Sequence, residues 1–301
     1  MTALTARPEP QQRPVLGAAV MLCALAMLPG MDAIAKYLAG HLPTVEVTWG
    51  RFLFYGIAIA PLALAKLGRN AIRPTRPGLQ ILRGLLFAGS AYAFFLSIAE
   101  MPLADTMAVF FIYPLIVLLA SALLLGERIG PLRWAMVGLG FAGALLVIRP
   151  AFDGIARADL FALLSGAGYA FGNMVTRRLA RHDPSLVTGL CSALTGIVLY
   201  SVAMPVVWQM PSAADWCWLA AVGLIAALGH YLLITAHRMA TAAQLAPYGY
   251  AEIVSAIFFG LVVFGDWPQP IVWLGIVIIV ASGIAVTWSN AKLETARSVT
   301  P

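Results

Sequence analysis

The chain of 301 residues is 61% hydrophobic and 11% charged, and it carries a net charge of +6 with a mean hydropathy of +0.88. A soluble domain has roughly 25% charged residues, so this composition excludes a soluble globular protein and requires lipid as the main solvent. Three scattered cysteines and four histidines without metal-ligand spacing predict neither a disulfide framework nor a metal site, and no cofactor is expected.

Ten apolar segments are each long enough to cross a bilayer, which needs about 20 residues. A polar, proline-rich tail over residues 1–14 precedes them, and residues 291–301 form a second tail. The predicted spans in chain order are 15–38, 44–65, 79–98, 103–125, 131–149, 159–178, 185–207, 216–236, 243–264 and 270–289. Short connections make neighbouring helices antiparallel, so we predict an all-α integral membrane protein with ten transmembrane helices.

The distribution of basic residues predicts the orientation of these spans. Of the 19 Lys and Arg residues, Arg149 and Arg157 lie on one side, Lys36 and Arg51 lie within spans, and all others lie on the opposite side. Basic loops face the cytoplasm, which places both termini there and favours the bacterial inner membrane. This bias also explains the positive net charge without a nucleic-acid partner.

The chain contains an internal repeat. Residues 126–134 and 265–273 share Gly, an acid, Pro and Trp at an offset of 139 residues, and residues 36–43 align with 177–184. Each half, 15–150 and 151–290, holds five predicted spans. Two copies of a unit with an odd number of spans insert with opposite orientation, so we predict two inverted five-helix repeats around a central cavity.

Several short motifs make residues 15–290 resemble the drug/metabolite transporter superfamily, EamA type. These are Leu124-Leu125-Gly126-Glu127 closing the fourth span, the Met101-Pro102-Leu103-Ala104 link, the Tyr113-Pro114 step, and the positions of Lys36 and Arg51. Two positions depart from the pattern: Glu252-Ile253 stands where such proteins often carry Glu-Pro, and the second closing acid is Asp266 rather than Glu. The resemblance implies a basket of ten helices that moves a small metabolite, often amino-acid-like or toxic, and often outward.

Glu252 is the clearest candidate for a functional residue. It lies midway along the ninth span, where a charged group costs about 2.5–3.5 kcal/mol on insertion scales. It is either a carboxylate that faces the substrate or carries a proton, or a buried carboxyl that bonds a neighbouring helix. Its repeat partner is Tyr113, and Pro114 is expected to kink the fourth span there because it lacks a backbone N–H.

The first span carries a second candidate group. Asp32 and Lys36 are four residues apart and are expected to pair, and Pro29-Gly30 just before them would bend or unwind the helix. Charges beside a broken helix are typical of a transporter site. The alternative is that Lys36 extends to the outer interface with Asp32 as its counter-ion.

Two arginines lie in or near the membrane. Arg51 is about 10 Å from the outer end of the second span at the helical rise. Its planar fork could bind a substrate carboxylate, or it could pair with Glu46 or Asp32 as a structural tie. Arg83, at the cytoplasmic start of the third span, is expected to extend toward water.

The remaining candidates are polar residues within spans. Asn173 aligns with Asp32, and Tyr92 aligns with Tyr231 in the half-to-half comparison. The full set of weaker candidates is Tyr92, Asn173, His230, Tyr231 and Tyr250. A lone polar residue in a bundle more often bonds a neighbouring helix than a ligand. The helix-end acids Glu127 and Asp266 are expected to be structural.

These observations predict a secondary transporter of a small-molecule substrate that works by alternating access between the halves. The chain has no Walker motif, so ATP does not drive it directly. Proton coupling through Glu252 or Asp32 is an open alternative, and no oligomeric state is predicted. The competing interpretations are a membrane-embedded enzyme, which lacks a nucleophile or metal-ligand cluster here, and a scaffold, which leaves the deep Glu252 unexplained.

Overall fold

The computed structural model describes residues 13–125, 131–148, 156–180, 182–240 and 242–299. The helices of the first half are α1 Pro14–Ala39, α2 Thr44–Leu67, α3 Pro77–Glu100, α4 Leu103–Phe110, α5 Tyr113–Leu125 and α6 Pro131–Ile148. A 3-10 turn, Gly68–Ile72, follows α2. The predicted closing acid Glu127 and nearly all of the predicted first tail lie outside the described residues.

The second half is also helical, but its segments are divided differently. Its helices are α7 Arg157–Leu179, α8 Ser185–Ser201, α9 Met204–Val207, α10 Ala213–Met239, α11 Ala242–Leu245, α12 Ala251–Phe259 and α13 Pro270–Val299. A 3-10 turn, Ala246–Tyr250, precedes α12, and a π-helical turn, Gly260–Phe264, follows it. The last helix continues to Val299 rather than ending near residue 289.

Every predicted span contains helix, but the helices differ in length. Within the described residues, four segments are long and apolar enough to cross a membrane: Val15–Ala39, Thr44–Ile72, Pro77–Glu100 and Ala213–Met239. The fourth, seventh and ninth predicted spans are each divided into shorter helices. The protein is therefore an all-helical membrane protein, and the count of ten crossings stays a prediction.

The interruptions of the fourth and ninth spans lie at equivalent places in the repeat. The chain leaves α4 at Phe110, and α5 restarts at Tyr113 with Pro114 in its first turn, a position that tolerates proline because its N–H is not needed there. In the second half the 3-10 turn ends at Tyr250, and Glu252 lies in the first turn of α12. Tyr113 and Glu252 therefore both lie at the start of a restarted helix.

The first span behaves differently. Helix α1 is unbroken from Pro14 to Ala39 with Pro29 inside it, so the alternative of unwinding at Pro29-Gly30 is wrong, and the alternative of a bend stays a prediction. Gly30 has another role: a Cβ added there would lie 2.9 Å from Cζ of Phe259. The absence of a side chain at Gly30 lets the end of α12 approach α1 closely.

Packing between the halves exceeds packing within them. Helix α1 packs on α10 and α12, and in the repeat-equivalent arrangement α7 packs on α3, α4 and α5. Likewise α2 packs on α10 as α8 packs on α3, while α2 packs on α8 and α6 on α13. The main core accordingly draws side chains from both halves, including Phe95, Met107, Ile112, Leu219, Ile253 and Ile279.

Candidate substrate site

Three charged side chains from three helices share one electrostatic neighbourhood. Asp32 of α1 interacts with Arg51 of α2 and with Glu252 of α12. The Arg51 guanidinium carbon also lies 5.5 Å from the centre of the Phe95 ring, a cation–π distance. Charges inside a bundle are costly unless opposite charges or aromatic faces compensate them, so this grouping marks a polar centre.

Two tyrosines lie near the Glu252 carboxylate. Tyr113 of α5 and Tyr169 of α7 both lie in its electrostatic range, and their ring centroids are 4.9 Å apart. Phe111 joins this group to Tyr250, with centroids 5.6 Å apart. Phenol groups donate and accept hydrogen bonds, and their rings can stack on a planar ligand. The arrangement can therefore hold a ligand that is both polar and flat.

The central side chains keep some accessible surface although protein surrounds them. Asp32 is buried, whereas six other side chains of this centre are only partly buried: Arg51, Tyr113, Tyr169, His230, Tyr250 and Glu252. Deep residues that retain exposure are typical of the wall of an internal cavity. We therefore expect these side chains to meet water or a small ligand within the bundle.

His230 of α10 lies on the Arg51 side of this centre. Its ring packs edge-on against Tyr55, with centroids 5.8 Å apart and an interplanar angle of 83°. Its Nδ1 lies 2.7 Å from the carbonyl oxygen of Ala226. Because a carbonyl oxygen only accepts, Nδ1 carries the hydrogen, and Nε2 of the neutral ring is left as an acceptor.

Lys36 does not pair with Asp32, so that expectation is wrong. Its Nζ donates to Oδ2 of Asp266 at 2.8 Å and to the carbonyl oxygen of Met101 at 3.1 Å, and it lies 4.8 Å from the centre of the Phe264 ring. The long lysine side chain reaches the turn before α13 instead of the acid one turn back on its own helix. Lys36 and Asp266 therefore link the two halves and are not part of the polar centre.

Glu46 and Asp32, the two acids suggested as partners for Arg51, have different surroundings. Glu46 accepts a hydrogen bond from the backbone N–H of Gln209 at 3.1 Å and is fully buried at the start of α2. Asp32 is the acid in the electrostatic range of Arg51. Among the described residues Arg51 forms no ion pair with either acid, so the structural tie stays a prediction, with Asp32 as the acid nearer in electrostatic terms.

Three of the weaker candidates lie away from the charges or serve their own helix. Asn173 donates to the carbonyl oxygen of Tyr169 at 3.0 Å. Tyr92 packs against Tyr200 with centroids 5.7 Å apart, among α2, α3 and α8. Tyr231 is 48% exposed on the outside of α10. The repeat relation between Tyr92 and Tyr231 therefore does not bring the two residues into one site.

Residues that the sequence analysis did not single out complete the centre. Tyr55 lies one helical turn after Arg51, and Tyr169 lies one turn before Asn173. Residues four apart share a helix face, so this spacing was a usable signal. Arg83 was expected to extend toward water, but its guanidinium bonds to Thr176 of α7 and to residues of α8.

A separate groove of about 430 Å³ lies between α5, α6 and α7. Its lining is entirely apolar and consists of Ile112, Leu115, Ile116, Leu119, Phe141, Leu160, Leu163, Leu164 and Ala167. The groove contains none of the charged candidates and offers no side-chain partner to a polar ligand. The candidate site is therefore assigned to the charged and tyrosine-rich centre.

Known proteins resemble this chain along nearly its full length. The EamA-like transporter family matches residues 15–149 and 156–288. The riboflavin transporter of Rhizobium johnstonii is 26% identical over 97% of this chain and 97% of its own. The S-adenosylmethionine uptake transporter of Rickettsia bellii is 27% identical, covering 92% and 95%, and the pseudopaline exporter of Pseudomonas aeruginosa is 29% identical, covering 85% and 90%.

A crystal structure shares the fold. It superposes with a TM-score of 0.63 at 20% sequence identity and covers 93% of this chain and 99% of its own. At that identity the likeness concerns the fold alone. It agrees with an all-helical arrangement in which both halves take part over almost the whole chain.

Proposed function

We propose that this chain, which belongs to the EamA-like transporter family, is a secondary transporter that exports a small amino-acid-like or drug-like metabolite across the bacterial inner membrane. The family and the named relatives are small-molecule transporters of the drug/metabolite transporter superfamily, not enzymes. The chain is accordingly an integral membrane small-molecule transporter. The substrate class, the direction of transport and the transport mechanism are proposals.

The observation that carries the substrate class is the grouping of Asp32, Arg51 and Glu252 with the Tyr113 and Tyr169 rings. A guanidinium suits a carboxylate, and carboxylates suit an amine. Tyrosine rings suit a planar group. Together these side chains favour a ligand with both charges or with an aromatic ring, which is the chemistry of amino acids and their analogues.

Alternating access between two inverted halves is the proposed mechanism. The exchanged packing pairs support it: α1 contacts α10 as α7 contacts α3, and α2 contacts α10 as α8 contacts α3. A polar centre built from helices of both halves is typical of transporters in which one half rocks against the other. In this arrangement ten spans enclose a central cavity, and both termini lie in the cytoplasm.

The direction of transport and its coupling to protons rest on separate observations. The pseudopaline exporter supports export, whereas the S-adenosylmethionine uptake transporters favour the reverse. Glu252 and Asp32 are the proposed proton carriers, because each is a carboxylate deep in the bundle and each lies in the field of the other. A substrate that displaces a proton from one of them would link its flux to the proton gradient.

The test is transport by purified protein in liposomes. Counterflow of labelled amino acids, riboflavin and S-adenosylmethionine should exceed that of protein-free liposomes for at least one compound. R51Q and E252Q should lower that rate about 10-fold or more, while Y231F, a change on the outer face of α10, should not. Transport of none of these compounds, or wild-type rates in both site variants, would overturn the proposal.

The direction is tested in growing cells. Overexpression should confer resistance to toxic amino-acid analogues or antimetabolites if the protein exports them, and sensitivity if it imports them. The E252Q variant, expressed to the same level, should give neither effect. Sensitivity caused by the wild type would reverse the proposed direction and leave the transporter assignment intact.

A further inference from the structure

Arg83 of α3 is a second arginine within the bundle, in addition to Arg51 of α2. It lies six residues after the start of α3 at Pro77, about 9 Å from the proposed cytoplasmic end at the helical rise. Its guanidinium is largely enclosed by protein and lies 4.4 Å from the centre of the Phe87 ring. Protein is therefore the main surrounding of this charge.

The hydrogen-bond partners of Arg83 are all neutral. Its Nε donates to Oγ1 of Thr176 at 2.7 Å, and one terminal nitrogen donates to Oγ of Ser192 and to the carbonyl oxygen of Thr188 at 3.4 Å. Among the residues that the structure describes, no carboxylate forms an ion pair with Arg83. An enclosed charge without a counter-ion is costly, so the position favours an anion.

The two hydroxyl groups are arranged to hold the guanidinium. The Thr176 hydroxyl donates its own hydrogen to the carbonyl oxygen of Gly172 at 2.7 Å, and the Ser192 hydroxyl donates to the carbonyl oxygen of Thr188 at 3.0 Å. Their oxygens are thereby oriented as acceptors toward Arg83. The second terminal nitrogen has no recorded partner among the described residues, so its N–H groups are left for a ligand.

The Arg83 position continues the candidate site. Tyr55, Tyr169 and His230 each lie in the electrostatic range of both Arg51 and Arg83. On the other side, Gln80 donates to Oγ1 of Thr188 at 3.1 Å and to Oδ2 of Asp183 in the loop before α8 at 2.8 Å. Polar groups thus connect the centre, through Arg83, to the loops at the proposed cytoplasmic end.

We propose that Arg83 is an oxyanion-binding subsite, which receives the carboxylate or phosphate group of the substrate on the cytoplasmic half of its path. The inference rests on the proposed transport function for its place in the path. The guanidinium suits both oxyanions, because its N–H groups form a planar fork. The alternative is a tie in which Arg83 only joins α3 to α7 and α8.

The test is binding by the purified full-length protein, measured as thermal stabilisation by benzoate, phenyl phosphate and benzamide. Benzoate, phenyl phosphate or both should raise the melting temperature saturably, and neutral benzamide should not. R83Q should weaken anion binding about 10-fold or more, since a charge-assisted hydrogen bond is lost, and R83K should weaken it less. R178Q, an exposed arginine on α7, should bind as the wild type does.

The two anions distinguish a carboxylate ligand from a phosphate ligand. The subsite is refuted if neither anion stabilises the wild type, if R83Q binds as the wild type does, or if R51Q alone abolishes binding. R83K keeps the charge, and binding is compared only between variants that elute from size exclusion as folded species, R83Q included. Because the assay needs no flux, protein that binds benzoate but moves no metabolite refutes the transport proposal and leaves the subsite standing.

Discussion

Nζ of Lys36 lies 2.8 Å from Oδ2 of Asp266, and this ion pair joins α1 of the first half to the turn before α13 of the second. The side chains are only 16% and 30% exposed, so water screens the pair less than it screens a surface salt bridge. Lys36 also holds the carbonyl oxygen of Met101, in the link between α3 and α4. The pair therefore closes three elements together at the proposed external end.

Neutralising either partner should loosen this closure. K36M and D266N should each lower the free energy of unfolding, and the double variant should lose less than the sum, with a coupling of about 0.5–3 kcal/mol. The measurement is a double-mutant cycle from denaturant titrations in detergent. Additive losses would show that the two charges do not interact, in disagreement with the observed distance.

The two carboxylates of the polar centre should respond differently to neutralisation. D32N leaves the Arg51 charge without its acid and should cost about 1–3 kcal/mol of unfolding free energy. E252Q replaces a carboxyl near Asp32 with a neutral group of similar shape, so it should be neutral or stabilising. Both free energies are measured in the same denaturant titration. A larger loss in E252Q than in D32N would mean that Glu252 has a cationic partner that this arrangement does not contain.

Gly223 of α10 should be sensitive to any side chain. A Cβ there would lie 2.7 Å from the backbone nitrogen of Tyr55 and 2.9 Å from the carbonyl oxygen of Arg51, so α2 would have to move. G223A should cost about 1–3 kcal/mol and slow transport, because it displaces two side chains of the site.

Gly138 of α6 provides the matched control. It is exposed, and a Cβ there would have no atom within 4 Å. G138A should be neutral or slightly stabilising, because alanine has the higher helix propensity. Unfolding and counterflow are measured for both variants, and equal behaviour of the two would contradict the close approach of α10 to α2.

Asp183, in the loop between α7 and α8, should make stability depend on pH. Burial tends to raise the pKa of its carboxyl, but hydrogen bonds from the backbone N–H of Thr75 and from Gln80, each 2.8 Å long, outweigh it and hold the pKa below its ordinary value. A carboxylate with a lowered folded-state pKa stabilises the protein above the pKa of the unfolded chain. That stabilisation is lost as pH falls through the folded-state pKa.

The measurement is the melting temperature of wild type and D183N between neutral pH and about pH 3, around the ordinary aspartate pKa. The melting temperature of the wild type should exceed that of D183N at neutral pH. The difference between the two melting temperatures should shrink as the carboxylate becomes protonated. Groups common to both proteins, such as His182, cancel in the difference. A difference that grows toward acid would mean that Asp183 is stabilised in its neutral form.

Local features of the chain could be predicted from the sequence. The divided fourth span follows from Tyr113-Pro114, because proline cannot occupy a helix interior without loss of a hydrogen bond. Depth along a helix follows from residue spacing, which singled out Asp32, Arg51 and Glu252. The helix does not unwind at Pro29, because a proline is tolerated within a membrane helix where neighbouring groups satisfy the freed backbone, and local sequence does not show such neighbours.

The sequence did not predict which residues the charged side chains would contact. Asp266, the partner of Lys36, is 230 residues away, while the acid one turn back on the same helix interacts with Arg51. Arg83 lies near an apparent helix end, yet it bonds to α7 and α8. In each case helix packing decides which polar atoms come within reach, and an enclosed charge takes the partners that packing supplies.

Composition, spacing and repetition by themselves determined the membrane environment, the helical segments and the two repeated halves, and they predicted which charges lie deep. These properties depend on residue type and on distance along the chain. Only the tertiary structure decided that tyrosines from α5 and α7 lie near Glu252 and that Lys36 pairs with Asp266. Contacts between helices depend on which faces meet, and that choice is made by the packing of the whole bundle.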